Sequence, residues 1–332
     1  MTSSAASESL PGIADLRAAA GRLDGRAVRT PLLEAPLLNA RLGLRLLVKA
    51  ETLQWTGSFK FRGAMNTLLQ LDERQRRAGV VAYSSGNHAQ GVAAAAQLLG
   101  IPATIVMPAD APAIKVANTR GYGAEVVLYD RWGESREAIG ARLAAERGAS
   151  LVPPYDDARV IAGQGTVGLE IAAQAAALGA RLDALVVPAS GGGLVAGCAL
   201  ALAAESPATR VYSAEPEAAD DLRRSLAAGE RLANDPAARS ICDALLAPMP
   251  GEITFAINRR LLAGGLAVSD TEVLRAMAVA FAELKLVVEP GGAAALAAVF
   301  AGRLDAKGKT VAVVASGGNV DRETFIRALA AG

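Results

Sequence analysis

Short runs of apolar, β-branched residues recur along the chain and alternate with longer Ala- and Leu-rich segments of helical spacing. Such runs predict buried strands of mostly parallel sheets, because a strand covered on both faces is apolar throughout. The predicted strands are 44–50, 80–84, 103–108, 124–130, 184–189, 210–216 and 310–316. The predicted helices between them include 88–99, 133–147, 165–178 and 194–204. This alternation predicts an α/β protein.

Four joints between a predicted strand or apolar run and the segment that follows it are unusually rich in Gly, Ser and Asn. They are SSGNHAQG (84–91), SGGGLVAG (190–197), EPGGAAAL (289–296) and SGGNVD (316–321). Ligands of open α/β sheets bind outside the carboxyl ends of the strands. We therefore expect these joints to form a binding site.

The glycine joint at 190–194 has two chemical interpretations. Its bare backbone N–H groups at a helix start would form a cradle for a phosphate. However, Gly191, Gly193 and Ala196 also satisfy G-x-G-x-x-A, and Glu215 follows about 20 residues later, as a dinucleotide site requires. A simple glycine turn is the third possibility, and this stretch alone does not decide among them.

Lys60 lies between Phe59 and Phe61. Aromatic neighbours would desolvate its amine and lower its pKa, which favours the neutral nucleophile that a Schiff base needs. The alternative is a surface lysine whose stem packs on the rings while its ammonium reaches water.

Composition excludes several classes of function. A length of 332 residues suggests about two domains, and 34 basic against 33 acidic residues leave no charged stripe for nucleic acid or membrane. Cys198 and Cys242 lack the spacing of a disulfide framework or zinc site, and His88 is the one histidine. The first residues lack a signal peptide pattern. We expect a cytoplasmic protein whose partners are small molecules or copies of itself.

Five motifs occur together in a fixed order, and this combination is more informative than any one of them. They are Ser58-Phe59-Lys60-Phe61-Arg62-Gly63-Ala64, Ser84-Ser85-Gly86-Asn87-His88, Ser190-Gly191-Gly192-Gly193, Glu289-Pro290-Gly291-Gly292 and Ser316-Gly317-Gly318-Asn319. From about residue 25 to the C-terminus, the chain resembles the fold type II pyridoxal-phosphate enzymes, in the serine/threonine dehydratase and serine racemase group.

The resemblance implies a tryptophan synthase β-like α/β fold with two open parallel-sheet domains and the active site between them. The large cofactor-binding domain would comprise 1–72 and 155–332, and a small domain, 73–154, would be inserted in it. The cofactor would be pyridoxal 5′-phosphate. We expect a homodimer, as is common for this fold.

The same resemblance assigns roles to the joints. Lys60 would hold the cofactor as a Schiff base and then remove the Cα proton, and Asn87 would bind the pyridine 3-oxygen. Ser316 would meet the pyridine nitrogen, and its neutral hydroxyl makes transamination unlikely and suits elimination. The remaining cofactor-binding residues would be Phe59, Ser190, Gly191, Gly192, Gly193, Leu194 and Glu289, with the phosphate on 190–194.

The substrate carboxylate would be held by the loop Ser84, Ser85, Gly86, Asn87 and His88. Ser85 would face the side of the cofactor opposite Lys60, where the equivalent serine of racemases can act as the second acid/base, so racemisation stays open. His88 contacts substrate or serves only in packing. Arg136 either pairs with a distal substrate carboxylate or is an exposed charge on a helix.

The stretch after the strand 210–216 resembles the divalent-cation loop of serine racemases. The ligands carried over are Glu215, the Ala219 carbonyl and Asp221, hard oxygens that suit magnesium, manganese or calcium. The alternative is a solvated acidic turn.

The resemblance therefore implies an ammonia-lyase that eliminates water from L-threonine or L-serine to give a 2-oxo acid and ammonia. The chain reads Ser240-Ile241-Cys242-Asp243 where many relatives have Ala-Asp-Gly, which leaves the substrate open. The alternatives within this chemistry are threo-3-hydroxyaspartate dehydratase and serine racemase, and an NAD-dependent dehydrogenase is the alternative from another class. Because the chain ends soon after Ser316, we expect a catabolic enzyme without a regulatory domain.

Overall fold

Two separate β-sheets, each flanked by helices, organise the chain. The computed structural model describes residues 10–84, 86–111 and 113–332. The strands are β1 (Leu32–Glu34), β2 (Arg45–Ala50), β3 (Val80–Tyr83), β4 (Ala103–Pro108), β5 (Glu125–Tyr129), β6 (Ser150–Leu151), β7 (Ala184–Pro188), β8 (Arg210–Pro216), β9 (Leu262–Val268) and β10 (Thr310–Ala315).

The helices carry the chain from strand to strand. They are α1 (Ile13–Leu23), α2 (Pro36–Leu42), α3 (Lys60–Leu68), α4 (Glu73–Ala78), α5 (Asn87–Leu99), α6 (Ala113–Gly121), α7 (Arg136–Arg147), α8 (Ala158–Ala177), α9 (Gly193–Glu205), α10 (Asp221–Ala228), α11 (Glu252–Leu261), α12 (Asp270–Val279), α13 (Pro290–Phe300) and α14 (Arg322–Ala330).

The larger sheet has six strands in the order β1-β2-β10-β7-β8-β9. All neighbours in it are parallel except β1 and β2. Strand β10 is central, with Ala315 opposite Ala50 of β2 and Val313 opposite Val186 of β7. The carboxyl ends of β7 and β10 therefore lie side by side, which brings the 190 and 316 joints together.

The smaller sheet has four parallel strands in the order β5-β4-β3-β6. All four lie between Val80 and Leu151, within the segment 73–154 predicted as an inserted domain. Helix α3 connects the two halves, because Phe61 and Met65 belong to the apolar core around β3 and β4 while the helix also packs on α8. Lys60, at the start of α3, is thus placed between the sheets.

Helix α8 packs unusually close to its neighbours. A Cβ on Gly163 would lie 2.7 Å from the Arg62 carbonyl oxygen of α3, and one on Gly165 would lie 3.0 Å from the Gly197 carbonyl oxygen of α9. Glycine at these positions lets the three backbones approach, which fixes α3 and α9 relative to each other. Within the described residues, no helix is long and apolar enough to cross a membrane.

Candidate active site

The predicted cofactor and substrate residues that the structure describes line one pocket between the two sheets. They are Phe59, Lys60, Ser84, Gly86, Asn87, His88, Arg136, Ser190, Gly191, Gly192, Gly193, Leu194, Glu289 and Ser316. Ser85, the predicted second acid/base, lies outside the described residues. The pocket thus collects the joints that follow β3, β7 and β10 with the start of α3.

Lys60 is held at this pocket by backbone contacts on both sides. The Phe59 N–H donates to the Ser316 carbonyl at 3.1 Å, which ties the lysine joint to the end of β10. The Lys60 ammonium donates to the Pro154 carbonyl at 2.7 Å and lies 5.2 Å from the centre of the Phe59 ring. Burial lowers the pKa of Lys60 to about 8. A substantial share of the amine is therefore neutral near that pH, as a nucleophile or base requires.

The glycine joint forms a turn that leads into α9. Gly192 has φ +93°, a left-handed conformation that favours glycine. A Cβ on Gly191 would lie 2.4 Å from the Tyr155 ring, and one on Gly193 would lie 3.0 Å from the Tyr155 carbonyl oxygen. Side chains are thereby excluded, which leaves backbone N–H groups at a helix start as the lining. Such a surface suits a phosphate group.

Two side chains of α11 fix the orientation of this turn. The Thr254 hydroxyl donates to the Gly191 carbonyl at 2.6 Å, and the Asn258 amide donates to the Gly192 carbonyl at 3.2 Å. Both side chains are buried. Because these carbonyl oxygens are bonded to α11, they are directed away from an incoming anion. The sequence analysis did not identify Thr254 or Asn258, although their spacing of four residues on one helix face is a usable signal.

A chain of amides and a carboxyl group connects three of the joints. The Asn87 amide donates to Glu289 at 2.5 Å, and its oxygen accepts from the Asn319 amide at 2.8 Å. Burial and the nearby Asp243 charge raise the pKa of Glu289 to about 7. Ser316 is 5% exposed, and its hydroxyl makes no hydrogen bond with any described residue. That hydroxyl is therefore free to meet a ligand atom, such as a ring nitrogen.

His88 is held in one tautomer. Its Nε2 lies 2.9 Å from the Val152 carbonyl oxygen, which only accepts, so Nε2 carries the proton and Nδ1 is an acceptor. Burial, together with the Lys60 charge, lowers the pKa of His88 to about 3. The ring is therefore neutral near pH 7, and its Nδ1 carries no proton that it could donate in the reaction.

Arg136 begins α7 and its side chain is 31% exposed. Its guanidinium lies 5.7 Å from the centre of the Tyr83 ring, and Nε donates to Glu137 at 2.8 Å. Within the described part of the chain, neither Nη atom has a protein acceptor. The outer edge of the guanidinium is therefore available to an anion in the pocket.

The predicted cation loop lies apart from this pocket, at the end of β8. Glu215 is fully buried, and its carboxyl oxygens accept from the Leu222 and Arg223 N–H groups at 3.0 and 2.8 Å. Asp221 accepts from the Asn234 amide at 2.6 Å through one oxygen, while its other oxygen is buried without a partner.

Burial raises the pKa of both carboxyl groups, to about 6 for Asp221 and well above the usual range for Glu215, where the Asp221 charge adds to the effect. Two buried acids this close need protons or a cation to offset their charge. No cluster of three or more His, Cys, Asp or Glu side chains forms among the described residues, so a cation here would need carbonyl oxygens such as that of Ala219. The residues fit the predicted site, which remains a prediction.

Comparisons with a family model and with known proteins agree on one family. Residues 24–317 match the model of the family described as pyridoxal-phosphate dependent enzyme. The chain is 48% identical to an L-threo-3-hydroxyaspartate ammonia-lyase of a Pseudomonas species, over 94% of this chain and 96% of the relative. It is 41% identical to a serine racemase of Schizosaccharomyces pombe, over 95% of this chain and 96% of the relative.

A solved structure agrees with these relatives. The T.th. threonine deaminase superimposes with a TM-score of 0.88 at 49% identity, covering 94% of this chain and 99% of that one. The predicted fold is thereby confirmed, and an NAD-dependent dehydrogenase is set aside. The glycine cradle, the low-pKa lysine and these relatives identify the chain as a member of the fold type II pyridoxal-phosphate-dependent enzymes, in the ammonia-lyase and dehydratase family, with pyridoxal phosphate as its cofactor.

Proposed function

We propose that this protein is an ammonia-lyase that eliminates water from L-threo-3-hydroxyaspartate to give a 2-oxo acid and ammonia. The observation that carries the proposal is Arg136, whose guanidinium lines the same pocket as Lys60 with both Nη atoms free of described protein acceptors. An arginine edge of this kind binds a carboxylate with two parallel hydrogen bonds. It would accept the distal carboxylate that hydroxyaspartate has and that serine and threonine lack.

The relatives support this substrate without deciding it. The Pseudomonas relative carries the name of the proposed activity, and a Saccharomyces cerevisiae relative with the same name is 44% identical. Sequence analysis ranked L-threonine and L-serine first. The position of Arg136 in the pocket wall is the reason to place the dicarboxylic substrate ahead of them.

Substrate binding and removal of the Cα proton have candidate residues. When bound, pyridoxal phosphate withdraws electrons from Cα and so acidifies the Cα proton. Lys60, with its lowered pKa, would take that proton at Nζ. Backbone donors of residues 190–194 would hold the phosphate group, and the loop containing Ser84, Gly86 and Asn87 would hold the α-carboxylate. The β-hydroxyl then takes up a proton and leaves as water, which gives an enamine that hydrolyses to the 2-oxo acid and ammonia.

L-Threonine is the second candidate, and a specific part of the pocket favours it. Leu245 and Leu246 line the pocket beside Ala244 and Ala247, so this wall is apolar and would accept a methyl group. Racemisation of serine depends on Ser85 and stays a prediction.

The test is release of 2-oxo acid from L-threo-3-hydroxyaspartate, L-threonine, L-serine and D-serine, with chiral analysis of the remaining amino acid. We expect the highest kcat/KM for the hydroxyaspartate and no inversion at Cα. Arg136→Leu should lower that value about 100-fold, because a charge-assisted pair is lost, and should change the threonine value little. Arg142→Leu, an exposed arginine on the same helix, is the matched control. A tenfold preference for threonine in the wild type would refute the proposed substrate.

A further inference from the structure

An ion pair crosses the pocket from one wall to the other. The Lys115 ammonium, on α6, lies 2.6 Å from a carboxylate oxygen of Asp243, which belongs to the divergent stretch 240–243. Both side chains line the same pocket as Lys60, although they are 128 residues apart in the chain. Neither residue was selected by the sequence analysis for a role in the site.

The two partners differ strongly in exposure. The Lys115 side chain is 13% exposed, whereas the Asp243 side chain is 53% exposed. Among the described residues, Asp243 is the one hydrogen-bond acceptor of the Lys115 ammonium. Returning Asp243 to water therefore costs little, while leaving Lys115 without an anion costs more. Another anion can therefore replace the Asp243 carboxylate on Lys115 at little cost.

Lys115 also lies beside the loop that is predicted to hold the substrate carboxylate. Its Nζ would be 3.8 Å from a Cβ placed on Gly86. Asp243, in contrast, is close enough to Glu289 for its charge to raise the pKa of that buried acid, after the effect of burial itself. Asp243 thus lies near another acidic group, and its departure would relieve that repulsion.

We propose that Lys115 binds the α-carboxylate of the amino-acid substrate and that Asp243 holds the ammonium in place until the substrate arrives. Binding is then an exchange of anions on Lys115, with Asp243 released toward solvent. The inference rests on the proposed function only in requiring that this pocket bind an amino acid. It does not depend on which β-hydroxy amino acid is preferred.

The exchange predicts opposite effects of the two substitutions on substrate affinity, whereas a contact that only closes the pocket predicts the same effect for both. If Asp243 competes with the substrate, Asp243→Asn should tighten binding while Lys115→Met weakens it. If the pair merely closes the pocket, both variants should weaken binding. The double variant should resemble Lys115→Met, because there is then no cation for which the two anions compete.

The experiment measures dissociation constants of L-alanine and L-aspartate, which have no β-hydroxyl to eliminate, for the holoenzyme by calorimetry and by the visible spectrum of the cofactor. We expect Lys115→Met to raise the L-alanine constant about tenfold or more and Asp243→Asn to lower it about threefold. Lys309→Met and Asp305→Asn, which alter an exposed lysine–aspartate pair outside the pocket, are the matched controls.

Binding weakened in both pocket variants, or unchanged in both, would overturn the role of Lys115. Should Lys115→Met fail to fold, the tightening expected of Asp243→Asn decides alone. Turnover by the wild type tests the proposed substrate separately. If the wild type releases 2-oxo acid from hydroxyaspartate but the variants change binding in the wrong direction, only the role of Lys115 is refuted. A wild type that neither binds these amino acids nor turns over the panel would refute both proposals.

Discussion

At the scale of single residues, Lys60 combines a long, flexible side chain with an amine that is partly neutral, whereas a lysine in water keeps its amine charged. It has a flexible amine that can reach a ligand, and burial shifts that amine toward its neutral form, with a pKa of about 8. The contact with the Pro154 carbonyl at 2.7 Å directs the amine into the pocket without supplying a negative charge that would restore the ordinary pKa. Of the two flanking aromatic residues, Phe59 lines the pocket beside this amine, whereas Phe61 packs in the apolar core around β3 and β4.

Removing the Lys60 amine tests its role directly. Lys60→Ala should lower 2-oxo acid release about 1,000-fold, because base catalysis and the covalent hold on the cofactor are lost together. The assay should be run at saturating cofactor, with Lys307→Ala, an exposed lysine, as the control. Release at the normal rate from Lys60→Ala would refute the assignment. In the wild type, kcat should rise with pH through about 8, since the Lys60 amine is released from the cofactor when substrate is bound and only its neutral form is a base.

At the scale of elements, the pocket depends on helices that do not themselves touch the reacting atoms. Helix α11 holds the glycine joint through Thr254 and Asn258, and its own start is capped by Asp156, which accepts from the Glu252, Ile253 and Thr254 N–H groups at 2.8 to 3.1 Å. The turn at 190–194 is therefore preorganised from outside. A preorganised set of backbone donors binds an anion without the cost of ordering the loop.

Thr254→Val removes one of these supports while keeping the shape of the side chain. We expect the dissociation constant of pyridoxal phosphate to rise about tenfold, because the Gly191 carbonyl loses a buried hydrogen bond. Titration of the cofactor-free protein, followed by cofactor absorbance, measures this. Thr209→Val is the control, since the Thr209 hydroxyl also donates to a carbonyl, at 3.1 Å, but at the start of β8. Equal affinity in both variants would contradict the supporting role of α11.

The loop between β8 and α10 makes a second prediction at this scale. If Glu215 and Asp221 hold a divalent cation, a chelator should lower the melting temperature by a few degrees, and magnesium or manganese should restore it. The effect should be larger at pH 7.5 than at pH 5.5, because the raised pKa of Asp221, about 6, lets protons offset the charge in acid. Asp221→Asn should abolish the response and Glu217→Gln, an exposed acid nearby, should retain it. An unchanged melting curve in the wild type would remove the cation site.

At the scale of the whole molecule, the sequence predicts what depends on local pattern and misses what depends on close approach. The seven predicted strands are confirmed within about a residue at each end, because each is an apolar β-branched run. Strand β9 was missed because Gly264 and Gly265 interrupt it. The first turns of α8 were missed for a similar reason, since glycines that allow contact with α3 and α9 look like breaks in the sequence.

The same division holds for the site. The joints after the strands could be found from their Gly, Ser and Asn content, because the exposure of backbone N–H groups depends on the residues of a short stretch. The contact of Lys115 with Asp243 could not be found in this way, because the two residues are 128 positions apart and only the folded chain brings them together.

A buried charge network also joins β2, α3 and α8. The Arg62 guanidinium donates to both oxygens of Glu51 at 2.8 Å and to Glu170 at 2.7 Å, and the Lys49 ammonium donates to Glu170 at 2.6 Å. Arg62, Glu51 and Lys49 are almost fully buried. Burial alone would raise the pKa of Glu51, but Arg62 holds it below the ordinary value. The helix that begins at Lys60 is therefore anchored by paired charges two residues farther along.

Arg62→Met should lower the free energy of unfolding by about 3–5 kcal/mol, because it leaves buried carboxylates without their main partner. The sign of the pH dependence follows from Glu51. In the wild type its lowered pKa contributes stability above about pH 4, whereas in the variant an unpaired buried Glu51 has a raised pKa and costs stability there. The deficit should therefore be largest near pH 7 and shrink as the pH falls below about 4. Urea denaturation across this range measures it, with Arg17→Met, half of an exposed pair with Glu205, as the control. A deficit that is small or constant with pH would show that the network does not anchor α3 through its charges.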